Sequence, residues 1–86
     1  MSVHQAISGQ IEKRLLKEKE FLALDLRREE AIEETLTQAK KDPGEISVQR
    51  INQITKEMNQ IAAQYRFPQR KNVTKEMIQS YINRKS

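Results

Sequence analysis

The densest set of groups able to do chemistry is the run Glu29, Glu30, Glu33 and Glu34, two carboxylate pairs at i, i+4 spacing. On a helix such pairs share a face, and carboxylates from several helices of a bundle can hold a divalent cation. A di-iron bundle also needs Glu-x-x-His pairs on other helices, and the one histidine, His4, lies about 25 residues upstream. With Arg27 three residues before Glu30, the run reads as a solvated charged face carrying an i, i+3 ion pair. His4 falls on an expected first helical turn without charged companions, so it reads as a surface imidazole. The chain has no cysteine, which removes disulfides, thiolate metal sites and cysteine nucleophiles. No Gly-rich phosphate loop, nucleophile elbow or zinc spacing is present. The expectation is a non-enzymatic protein with no catalytic, metal or cofactor-binding residue.

The basic groups form the second candidate. Residues 1–42 hold eight basic and nine acidic side chains, while residues 43–86 hold eight basic and three acidic. A basic second half attracts an anionic partner or complements the acidic first half of the same fold. Arg66, Arg70, Lys71, Lys75 and Arg84 are the candidate anion contacts. Ile61-Ala-Ala-Gln-Tyr65 resembles the first helix of helix-turn-helix DNA readers, with Phe67-Pro68 in the turn and Tyr81-Ile82 in the second helix. Two departures count against it. Arg66 occupies the turn position usually given to Gly, and about seven residues separate the helices where the motif wants three or four. Starting a helix at Pro68 instead shortens the turn but places Asn72 inside that helix. Nucleic-acid binding through this half is therefore the alternative reading, not the first. An anionic membrane surface ranks lower, because the second helix commits its apolar face to another helix and leaves nothing to insert.

The elements that must position these groups follow from punctuation. Asp42-Pro43-Gly44-Glu45 is a turn signature, with Pro fixing φ and Gly admitting a positive φ. Phe67-Pro68 is the second break, since Pro disfavours helix in the residue before it. Three helices result, at about 3–41, 48–66 and 75–84. In the first, Ser2 and Gln5 fit a capping box, Gly9 weakens the early turns by about 1 kcal/mol relative to Ala, and Lys40 and Lys41 suit the carboxyl-end dipole. Heptad spacing picks out Ile11, Leu15, Leu22, Ile32, Leu36 and Ala39, interrupted by Glu18, Asp25 and Glu29. Phe21, Leu24 and Leu26 lie on other faces, so the buried side is expected to widen or rotate mid-helix.

The second helix carries the cleanest pattern. Ser47 is its expected cap, and Ile51, Ile54, Met58, Ile61 and Tyr65 follow at steps of 3, 4, 3 and 4, the a/d seam of a helix made to pack on a helix. In the third, Thr74 is the expected cap and Val73 with Ile78 the hydrophobic staple. Ile54–Gln60 and Val73–Gln79 match at most positions, but Thr55 lies within one helix while Thr74 opens another, so the echo is no structural repeat. Two Gly, two Pro and the lack of apolar/polar alternation leave no strands.

Eighty-six residues at 33% charged allow one small domain. Its fold class is all-α: a long first helix forming an antiparallel hairpin with the second, plus a short third helix. A domain of this size buries only ~60% of its unfolded surface and commonly gains stability by self-association. The expected helix-packing or partner interface is Ile51, Ile54, Met58, Ile61 and Tyr65 facing Leu15, Leu22, Ile32 and Leu36. The expected partner is a second copy, most simply in a homodimer, or another protein helix.

Leu26-Arg-Arg-Glu-Glu-Ala-Ile-Glu-Glu34 and Val73-Thr-Lys-Glu-Met77 carry a resemblance. Through them the chain resembles, over its whole length, the short uncharacterised proteins of Gram-positive bacteria grouped as families of unknown function. That resemblance implies a bacterial cytoplasmic setting and transfers no activity or site. The residues themselves agree on compartment: the amino terminus shows no basic leader before an apolar run. The greasiest stretch, Phe21–Leu26, is far short of the ~20 residues a membrane span requires.

Overall fold

The computed structural model describes residues 3–85, with side chains from Gly9 to Arg84. The Ser2–Gln5 capping box and the His4 side chain lie outside the described residues. Three helices follow one another: α1 (Val3–Lys41), α2 (Gln49–Tyr65) and α3 (Lys75–Lys85). No strand occurs among the described residues. None of these helices is long and apolar enough to cross a membrane. At 1.5 Å per residue the 39 residues of α1 make a rod of about 58 Å, which sets the longest dimension of a 60 × 19 × 17 Å molecule.

The first turn reverses the chain. Asp42 does most of this: its carbonyl accepts from the Glu45 amide at 3.0 Å and its Oδ1 from the Gly44 amide at 3.2 Å. The expectation of a positive φ at Gly44 is not met, and the positive φ belongs to Arg66 instead, at 60°. Arg66 ends α2 in the left-handed conformation, its amide reaching Ala62 O while the Phe67 amide reaches the same oxygen at 3.1 Å. That is a Schellman-type stop built without glycine. Ser47 does not cap α2. Val48 holds that position with no side-chain hydrogen bond, and the Ser47 carbonyl accepts from Thr35 Oγ1 at 3.4 Å. Thr74 does cap α3, its Oγ1 accepting from the Met77 amide at 3.2 Å, with the staple pair Val73 and Ile78 both buried.

The direction of each helix follows from its contacts. Glu34 of α1 pairs with Arg50 near the start of α2 at 2.8 Å, and Arg14 of α1 donates to the Tyr65 carbonyl at its end at 3.3 Å. The two helices are therefore antiparallel. α3 packs on α1 and not on α2, running beside the Arg28–Leu36 stretch and on towards Ala39 and Lys40, parallel to α1.

The expected seam on α2 is buried: Ile51 and Met58 are fully covered, Ile54 and Ile61 nearly so, and Tyr65 is half-buried. Its counterpart on α1 needs correction. Leu15 and Leu22 do not face α2 and remain 53% and 55% exposed. The clasped face is instead Arg14, Phe21, Leu24, Arg28, Ala31 and Thr35, of which Phe21, Leu24 and Ala31 are buried. These fall at steps of 7, 3, 4, 3 and 4, a single seam in which three of six members are polar. Leu15, Leu22 and Leu36 each stand one residue later, about 100° further round the helix. Near the carboxyl end α3 covers that second stripe, leaving Ile32 and Leu36 half-buried against the core. Near the amino end no element of the described chain covers it.

Candidate interaction surface

The surface is shaped by how the non-helical segment 67–74 is held. On α2, Asn52 and Asn59 stand two turns apart, and each side-chain amide pairs with one residue of the segment in both directions. Asn59 accepts from the Arg70 amide and donates to its carbonyl, both at 2.8 Å. Asn52 accepts from the Val73 amide at 2.7 Å and donates to its carbonyl at 2.9 Å. An asparagine amide presents an N–H donor beside a C=O acceptor, so it can pair with both the N–H and the C=O of one backbone residue. The segment runs back along the hairpin with its polar backbone satisfied.

From the other side α1 supplies the second clamp. Arg28 donates from Nε to Thr55 Oγ1 and from an Nη to the Lys71 carbonyl, both at 2.8 Å. Thr55, fully buried, donates a hydrogen bond from its own hydroxyl to the Ile51 carbonyl at 2.9 Å. Arg70 approaches Asp25 at 3.5 Å and lies 5.5 Å from the centre of the Phe21 ring. Phe21 meets Phe67 at 5.3 Å between ring centres, Tyr65 stacks on Phe67 at 5.9 Å, and Arg14 stands 5.2 Å over Phe67. Three of the four aromatic rings and two guanidinium groups thus close the end of the hairpin, in the offset and cation–π contacts such groups favour.

This arrangement separates the candidate anion contacts. Arg66 is exposed beside Arg14 at the end of α2, Arg70 is half-buried on Asp25 and Phe21, and Lys71 and Lys75 are exposed near the middle. Arg84 lies at the far end of α3. They are spread from the end of α2 to the end of α3. The helix-turn-helix geometry is absent as well, because nine non-helical residues join α2 to α3 and those helices do not pack together. Pro68 lies in the non-helical segment, so no helix starts there. Basic and acidic halves meet within the chain at the Arg50–Glu34 and Arg70–Asp25 pairs.

The glutamate run also has a defined place. Glu34 pairs with Arg50; the expected Arg27–Glu30 pair is not formed, and Glu29, Glu30 and Glu33 are exposed without an ion pair among the described residues. No group of three or more potential metal ligands occurs among the described residues.

What remains outward is apolar. Ile11, Leu15, Leu16, Leu22 and Leu26 are between 53% and 65% exposed, and on α3 Met77 and Tyr81 are about half exposed. Ile11, Leu15, Leu22 and Leu26 fall within about 60° of one another around α1. The stripe leads into a groove of about 470 Å³ between α1 and α3, floored by Ile32, Leu36 and Ile78 and edged by Glu29, Glu33, Met77 and Tyr81. Sequence periodicity found Leu15 and Leu22 but gave them the wrong neighbour. It did not find Asn52, Asn59 or Arg28; the one available signal was a pair of asparagines seven residues apart beside an apolar seam.

The fold and surface define a class: a small helical hairpin with a backstrapped third helix and an uncovered apolar stripe, with no constellation of reactive groups among the described residues. The chain belongs to the DUF2533 family, described as a protein of unknown function, whose model matches residues 1–84. It is also similar to the uncharacterized protein YpbS of Bacillus subtilis (strain 168), with 39% identity over 82 residues and 95% of each chain covered. No solved structure matches it.

Proposed function

We propose that this protein is a non-enzymatic helical interaction or assembly module that associates with itself through the uncovered stripe of α1. The observation that carries the reading is the exposure of four large aliphatic side chains, Ile11, Leu15, Leu22 and Leu26, on one side of one helix. Single exposed leucines are ordinary, whereas a contiguous apolar patch marks an interaction site. α2 packs on α1, and α3 on the carboxyl half of α1, so no described element covers the stripe. A hairpin this thin also has reason to associate, because burying the stripe adds apolar area that the monomer leaves in water.

Sedimentation equilibrium over a range of concentrations tests the reading. The expected result is a mass that rises with concentration to that of a dimer or beyond. In Leu15→Gln/Leu22→Gln the association weakens at least tenfold while helix content in dilute solution stays unchanged. A chain that remains monomeric at high concentration overturns self-association, and an unchanged association in the double variant overturns the stripe as its site.

A further inference from the structure

We infer that the second copy lies antiparallel on α1, across a two-fold axis that passes between Glu18 and Lys19. This rests on the self-association proposed above and fixes its geometry. The first argument is spacing. Ile11, Leu15, Leu22 and Leu26 are separated by 4, 7 and 4 residues, a pattern that reads the same in both directions. A two-fold interface requires each residue to meet a partner residue that it also meets in reverse. In the antiparallel register Ile11 lies level with the partner's Leu26 and Leu15 with the partner's Leu22, so all four side chains find apolar company. Around the axis the two copies bring together two Glu18 carboxylates and two Lys19 ammonium groups, a neutral set.

The second argument is charge. In this register, residues whose numbers sum to 37 lie level, so the start of the partner's α1, at Val3, comes beside position 34. α1 has no acidic residue in its own first turn, although the amino end of a helix carries unsatisfied N–H groups and partial positive charge. Glu29, Glu30 and Glu33, exposed and without an ion pair among the described residues, are the carboxylates that meet it. The acidic run is thus explained without a metal: it caps a neighbouring helix in trans. The same placement brings the partner's first turns over the groove between α1 and α3, where Met77 and Tyr81 are exposed. A parallel pair sets like dipoles side by side.

The chain's lack of cysteine makes the test direct. Lys19→Cys and Glu34→Cys, each a single exposed site, are labelled with a nitroxide, checked for helix content, and measured by pulsed electron paramagnetic resonance at an associating concentration. The antiparallel register places the two labels at position 19 within about 20 Å and those at position 34 about 47 Å apart along the axis, at 1.5 Å per residue. Short distances at both positions overturn the antiparallel orientation and leave self-association standing. A long distance at position 19 overturns the register. No coupling at either position, with monomeric mass, overturns this inference together with the reading on which it rests.

Discussion

Two neighbouring registers of α1 meet different fates. Positions 14, 21, 28 and 35 hold Arg, Phe, Arg and Thr, and positions 15, 22, 29 and 36 hold Leu, Leu, Glu and Leu. The first set is the less apolar, yet it faces α2 along its whole length. The second is covered by α3 at its carboxyl end and is bare at its amino end. Hydrophobicity summed along a face therefore does not choose the face that packs. The clasped side includes one small residue, Ala31, almost fully buried, which lets a neighbouring element approach closely. It also carries Arg28, whose hydrogen bonds to Thr55 and the Lys71 carbonyl tie three segments at once. A leucine in its place has no means of meeting those oxygens. The interior leaves no buried side-chain nitrogen or oxygen without a partner among the described residues, so these polar members do not carry the cost of orphaned groups.

Substitutions can break this contrast or sharpen it. The largest effect is expected from Met58→Asp, which places an unpaired charge where the native side chain is fully covered. It should cost about 5 kcal/mol or more, enough to unfold a domain of this size. Circular dichroism then reports loss of helix. Next comes Arg28→Leu. It makes the clasped register more apolar, yet it should destabilise by about 1–3 kcal/mol because the Lys71 carbonyl and the segment it anchors lose their donor. A rise in melting temperature would refute the argument that hydrogen bonds chose this face.

Asn59→Ala removes a bidentate pair with Arg70 and should cost about 1–2 kcal/mol. The Arg70 amide should then exchange with solvent faster, while amides in the middle of α2 stay protected. Arg66→Gly works in the opposite direction. A non-glycine residue at a φ of 60° carries strain of about 1 kcal/mol, so relief of part of it should raise the denaturant midpoint slightly. The smallest effect on dilute protein is expected from Leu22→Asp, within about 0.5 kcal/mol because the side chain is solvated. The same charge change thus separates Met58 from Leu22 by several kcal/mol.

Much of the local structure was legible beforehand. The Asp42–Glu45 turn, the break at Phe67-Pro68, the Thr74 cap and the 3, 4, 3, 4 seam of α2 are all consequences of neighbours within a turn or two, and each has a recognisable residue signature. The Ser47 cap and a positive φ at Gly44 were expected on the same grounds and failed. Val48 holds the cap position without a side-chain hydrogen bond, and the 42–45 turn is closed by Asp42 with no positive φ at Gly44. The candidate surface was half legible, since Leu15 and Leu22 were singled out while their covering was assigned to α2. The echo between Ile54–Gln60 and Val73–Gln79 shows how far composition is from role. One threonine is buried beneath Arg28, and its counterpart caps α3.

Order along the chain alone determined that there are three helices, where each stops, and that α2 must pack one face against another helix, because capping, proline geometry and a 3.6-residue period act locally. Only the folded arrangement decided which side of α1 is clasped. A helix of 39 residues offers several plausible faces. The choice among them rests on burial of the small Ala31 side chain and on hydrogen bonds from Arg28, Asn52 and Asn59 to backbone far away in sequence, interactions that exist only once the segments meet.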